Sequence, residues 1–441
     1  MELSFPFLNQ PSLRDFNKSL RITGKGATSS GFDSAEHENP SAYFLDSTRG
    51  TNALLSFIPF TKLDSSFWEQ NSAIKIWLYP NDSSFKNETP FIETKKHNSW
   101  VNVSIHGIPQ HGPLEINFAE QPLARYYLTG NPYPAAIDMR KISSSTNIGK
   151  YYWYWDAGLG ATGNYTASAF RFPKIVQKLE GYIIKNNAGA AGYLFYEERT
   201  KVNHGDTPDT ISYKKEYAHI SLQFMKDNNL LDRLEILGID SASSRFEKWD
   251  AEKINENKIS LYSISRDSMA LCIDARPFTN NLFVPLGIQS NKTGKYRLLC
   301  TAFVIASDMI AYLHDKLLNK YQKIIQDSSY TFEINQDSTT AGEKRFEITG
   351  PPPPPRQEDP IMATVTPNPV QNQLGIRYSF RDLLTYQISI HSIDGALLQN
   401  KIFAASKNGI TIIEVPNLKA GTYVAVIKAG KNYLLKQFIK L

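Results

Sequence analysis

Apolar residues in this chain come in short runs with a period near two. ALLSFIPF, AIKIWLYP, WVNVSIHGI, LEINFA, RYYLTG, KYYWYWDA, GYIIKN, AGYLFYEE, HISLQF, RLEILGI, ISLYSI, MALCIDA, LFVPLGI, KYRLLCTAF and YTFEI are rich in β-branched and aromatic residues. Gly, Pro, Asn, Asp and Ser separate them, as they separate strands. Helix-period spacing is scarce. Its clearest instance, SDMIAYLHDKLLNKYQKII, sets Ile310, Leu313, Leu317, Tyr321 and Ile324 at helix-like intervals. The same stretch also reads as two strands joined by a polar turn. The pattern predicts an all-β chain of β-sandwich modules.

Punctuation along the pattern suggests the domains. Residues 350–356 read GPPPPPR, followed by QEDP. Consecutive prolines donate no backbone hydrogen bonds and favour an extended rod, so residues 350–360 are expected to be a semi-rigid linker. A polar, turn-rich stretch over 203–216 suggests a second boundary. The expected divisions are a β-rich domain over 1–215, a β-sandwich over 216–349, the linker, and a small sandwich over 361–441.

The last segment is the most legible. Pro367 and Pro369 bracket Asn368 and delete ladder donors, which suits the start of an edge strand. Leu374, Ile376, Tyr378 and Phe380 then alternate. Asp394-Gly395 lies between apolar runs and predicts a type I′ hairpin, which needs positive φ at both positions. NGITIIEV gives a further strand. LKAGTYVAVIKAGKNYLLKQFIKL adds a strand led by Gly421 with Tyr423, a hairpin, and a last strand carrying Lys436 and Lys440. Lysines are expected on the wet face of this antiparallel sandwich.

These stretches, in this order, resemble the type A sorting domain of the type IX (Por) secretion system of Bacteroidota-type bacteria. The resemblance rests on the PNP at 367–369, YQISIHSIDGALL, LKAGTYVAVI and the basic KQFIK. It implies an immunoglobulin-like sandwich that serves as an export signal rather than a catalyst. It further implies a type IX translocon and a surface sortase as partners of residues 361–441, removal of the tail after export, and joining of the cargo to an anionic lipopolysaccharide. Such cargo ordinarily begins with a Sec signal. MELSFPFLNQPSLRDFNKSL has no basic n-region, apolar h-region or cleavage site, so a truncated or mis-assigned start is expected.

Composition sharpens this picture. The chain has 441 residues, 41% hydrophobic and 21% charged, with a formal charge of +5. That excludes a disordered chain, and two cysteines exclude a disulfide mini-scaffold. Residues 361–441 hold nine Lys/Arg and three Asp/Glu; the other 360 residues hold 39 basic and 40 acidic. The basic surplus therefore belongs to the tail, and no nucleic-acid partner is expected. No run of 18 apolar residues is present. Cys272 and Cys300 lie in strand-like runs and are expected to be unpaired thiols.

The body offers little catalytic chemistry. It has no G-x-S-x-G elbow, Walker A or H-E-x-x-H motif. His106 and His111 flank a turn without a completing metal ligand, so no metal or cofactor is expected. Six Asp-Ser/Thr triplets, at Asp33, Asp46, Asp209, Asp240, Asp267 and Asp337, resemble the O-glycosylation sequon of the same bacteria. The GNPYP stretch around Tyr133 and the run Tyr151–Trp155 resemble a non-catalytic body found upstream of such sorting domains, over about residues 102–348. Tyr133, Trp153 and Trp155 are candidates for stacking on sugar rings if exposed; core packing is the preferred reading. The chain is thus expected to be a non-enzymatic secreted or outer-surface protein, its body acting in adhesion or scaffolding. The alternative is the carbohydrate-binding part of a larger polysaccharide-degrading enzyme.

Overall fold

The computed structural model describes residues 2–8, 12–17, 20–34, 38–49, 52–64, 66, 70–77, 107–160, 163–172, 174–202, 218–255, 258–306, 309–352, 362–379, 385–404, 408–430 and 432–441. They fall into two compact units, Met1–Pro352 and Pro353–Leu441. Prolines 353–355, the stretch at 203–216 and His106 lie outside the described residues.

The architecture is all-β, as the period-two pattern predicts. The stretch that also had helical spacing forms two strands, Tyr312–Asp315 and Lys320–Lys323, paired antiparallel. The reason is local. Leu317 and Leu318 are exposed in the connecting turn, where Asp315 Oδ1 accepts the Leu317 N–H at 3.1 Å, while Leu313 is buried.

An eleven-stranded sheet dominates the first unit. Its ten-strand path runs from Lys320–Lys323 through Gly342–Thr349, Phe283–Gln289 and Ala270–Arg276 to Asn229–Gly238, Ala218–Lys226 and Ser329–Ile334. Its two ends share one core, in which Phe224, Leu234 and Ile236 meet Val284, Phe346 and Ile348. A second sheet pairs Asn164–Ala169, Ile148–Asp156, Gly181–Asn186 and Arg125–Gly130 in that order. One of its faces packs Tyr151 and Trp153 against Leu237, Ala251 and Ile273 of the large sheet.

One core therefore spans the expected boundary at 215/216, while others lie wholly on either side of it. Tyr151 Oη donates to Trp249 O at 2.5 Å, and Trp153 Nε1 donates to Glu252 O at 2.9 Å. Tyr126 and Lys185 both bond the Glu252 carboxylate. Sheets covered on both sides carry continuous apolar runs, so composition does not mark the junction. Leu271, Cys272 and Ile273 are all buried for the same reason. Cys272 and Cys300 are free thiols in different cores.

Glu235 faces Ser221 across the sheet and accepts its hydroxyl. Burial pushes its carboxyl from 4.5 to about 7, only partly offset by Ser221 and Arg233. A carboxyl raised on folding keeps its proton longer in the folded state. Stability then falls as pH rises from about 4.5 to about 7 and stays lower above that. Glu235→Gln keeps the acceptor without the charge. It is expected to raise the melting temperature at pH 8 and leave it unchanged at pH 4; equal shifts at both would exclude titration as the cause.

Candidate functional site

The aromatic run tests the sugar-stacking reading first. Strand geometry sends alternate rings to opposite faces, and both faces are covered. Tyr151 and Trp153 enter one core, and Tyr152 enters another with Tyr133, Tyr182 and Tyr196. Tyr133 is fully buried and its hydroxyl donates to Gly112 O at 2.6 Å; Trp153 is 3% exposed. Neither presents a ring to a ligand, which corrects those two candidates. Trp155 is half-buried, edge-on to Tyr165 at 5.1 Å and to Trp77 at 6.2 Å. The Lys75 ammonium lies 5.6 Å from the Trp155 ring, and Gly163 sits so close that a Cβ there would come 2.5 Å from Nε1. The chain's own groups thus occupy the space around this indole.

Other body groups with chemical potential serve the fold. A hollow beside Phe283 is lined by Arg266 and Arg276. Arg276 is buried and fully engaged: Nε bonds Asp274, Nη1 donates to Phe283 O, and Nη2 donates to Ile264 O. Lys253 and Asp232 form a buried pair at 2.6 Å. Among the described residues, no group of three or more His, Cys, Asp and Glu could hold a metal ion.

The second unit is a small sandwich of two sheets. One orders Met362–Thr366, Gln373–Ser379 and Asn408–Glu414; the other orders Leu397–Ala404, Thr385–Ser392, Gly421–Ala429 and Asn432–Lys440. Leu374, Ile376, Tyr386, Ile388, Ile390, Ile413, Ile427 and Phe438 fill the core between them.

The expected motif residues frame this core. Pro367, Asn368 and Pro369 form a reversal, not a strand start, because Thr366 pairs antiparallel with Gly375. Both X-Pro bonds are cis. Asn368 Oδ1 accepts the Ile439 N–H at 2.9 Å, and the Val370 N–H donates to Ile439 O at 2.7 Å. The reversal thereby caps the open edge of the last strand. Gly421 begins its strand, and Tyr423 stacks on Phe438 at 5.7 Å with its hydroxyl donating to Lys419 O at 2.9 Å.

Two details differ from expectation. Gly395 has φ 92°, but Asp394 does not adopt positive φ, so the hairpin is not type I′. Four residues, 393–396, connect the strands, and a loop that long needs the left-handed region only near its end. Lys440 is 7% exposed rather than on the wet face; it shares a face with the core residue Phe438, and its ammonium reaches Leu441 O at 2.6 Å. Lys436 on the same face is half-buried.

Residues 364–441 match a family model described as the secretion system C-terminal sorting domain. The chain therefore carries a type IX secretion sorting domain at residues 364–441. Its sorting domain supports export to the cell surface or outside the cell and implies interaction with the secretion machinery. No described helix is long and apolar enough to cross a membrane. Residues 195–349 match a domain of unknown function, DUF8693. No curated protein matches the chain. Among solved structures, the chicken interferon gamma receptor alpha chain shares 10% identity over 34% of this chain and 97% of its own, with TM-score 0.17. Dimeric latent PorU from Porphyromonas gingivalis shares 11% over 73% of this chain, which spans 32% of PorU, also with TM-score 0.17. At those scores neither bears on function.

Proposed function

We propose that the exported protein is a non-catalytic surface module whose body acts in adhesion or scaffolding. In this reading a surface sortase removes the tail and the body is joined to an anionic lipopolysaccharide. The match of residues 364–441 to a sorting domain carries the export part. The body part draws support from its buried Asp232–Lys253, Asp274–Arg276 and Asp315–Arg345 pairs, which commit charged side chains within the eleven-stranded sheet to holding the fold.

The test places the full chain behind a Sec signal in a host with type IX secretion. The chain is expected at the surface or in the medium, and a chain lacking residues 364–441 is expected in the periplasm. Equal export of both would sink the export reading. Cells displaying the full chain are expected to adhere more than cells displaying a reporter fused to the same tail; equal adherence would remove the adhesion role.

A further inference from the structure

The sorting domain has an unusual outer face on its four-stranded sheet. An antiparallel sheet with one buried face normally turns polar side chains to water on the other. Here the register sets Ile402, Gln387, Lys428 and Tyr433 in one outward row, and Asn400, Ser389, Val426 and Leu435 in the next, so that apolar and polar side chains share the face. Ile402 is 73% exposed, Tyr433 66% and Leu435 59%. Large apolar side chains exposed together and rimmed by polar ones mark an interaction site.

Charge narrows the partner. The four strands contain no Asp or Glu. Lys428 is exposed between Gln387 and Tyr433 in the first row and makes no ion pair among the described residues. Two copies of this face would bring lysine-bearing, acid-free surfaces together with no counter-charge. Lipid fits poorly as well, because Gln387 and Ser389 lie within the face and would lose hydrogen-bond partners in hydrocarbon.

Resting on the export reading above, we propose that this outward face is where the sorting domain docks on a protein of the export machinery. The complementary patch presents apolar side chains around a carboxylate that meets Lys428. Tyr433 and Leu435 act as anchors, and Gln387 and Ser389 bond polar groups of the partner.

The experiment uses the full chain behind a Sec signal in a type IX host. Leu435→Glu and Lys428→Glu alter exposed positions and are expected to keep the native melting profile and protease resistance. Each is expected to lower the extracellular yield about tenfold or more, with the chain accumulating in the periplasm. Ile412→Glu, on the opposite sheet at 60% exposure, is expected to export normally. Normal export of both outward variants overturns the proposal, as does an equal loss from Ile412→Glu. A dimer of the native chain abolished by Leu435→Glu would assign the face to a second copy. Binding of the native chain to anionic phospholipid vesicles, abolished by the same variant, would assign it to lipid. Either result overturns the proposal. Deletion of residues 364–441 separates the two levels: if the deleted chain is still exported, the export reading itself fails. If only the face variants export normally, the docking face alone is wrong. Should Leu435→Glu fail to fold, Lys428→Glu still decides.

Discussion

Replacing Arg345 by methionine is expected to cost the body about 3–5 kcal/mol, the usual penalty for leaving one partner of a buried ion pair uncompensated. Arg345 is 4% exposed. Its Nη2 reaches Asp315 Oδ2 at 2.9 Å, and Nη1 donates to Glu333 O at 2.8 Å and Thr340 O at 2.6 Å. The guanidinium also lies over Phe332 and Phe346, at 5.0 and 4.7 Å. Methionine fills the volume but leaves Asp315 with only the Tyr330 hydroxyl and the turn N–H groups.

Acid should reach the same weak point. Burial alone would raise the Asp315 carboxyl, but the hydrogen bonds from Arg345 and Tyr330, with the arginine's charge, hold it below the usual aspartate value. A carboxyl lowered on folding contributes stability above its unfolded pKa of about 4 and loses it as pH falls through the lower folded value. The native protein is therefore expected to weaken progressively below about pH 4, and Arg345→Met to lose this part of the dependence. Urea midpoints at pH 7 and pH 3 check both. A loss under about 1 kcal/mol at pH 7 would mean the pair breaks even with apolar filling.

Phe438→Ala is expected to remove the sorting domain's folding transition or shift it far down. The ring is fully buried, stacks on Tyr423, and belongs to the last strand. Truncating a core phenylalanine costs about 3–5 kcal/mol, a large share of the roughly 5–15 kcal/mol that holds an ordinary domain together. The body's transition should not move, because residues 1–352 form a separate compact unit. Export should fall with the tail. Calorimetry on the full chain, paired with fractionation of the host, reads both. A body transition that moves with the tail's would contradict the independence of the two units.

The tail was legible because each strand is half-buried. Its inner positions alternate as Leu374, Ile376, Tyr378 and Tyr386, Ile388, Ile390, and the turn residues stand where strands end. The body was less legible. Its strands are covered on both faces, so KYYWYWDA gave alternation without saying that Trp153 and Tyr152 would both be enclosed. The salt bridges that anchor the body were also hidden. Asp315 and Arg345 are 30 residues apart, and nothing in their neighbours announces the pairing.

By itself the sequence determined the all-β class, the basic sorting tail and the order of its motifs, because these rest on local period, turn chemistry and composition. Only the tertiary structure decided which aromatic rings are enclosed, that the body's two halves share a core, and that Lys440 is buried while Leu435 faces outward. A period of two states that neighbouring side chains point to opposite sides. Whether another sheet covers a given side depends on contacts between strands far apart in the chain, and no local pattern encodes those.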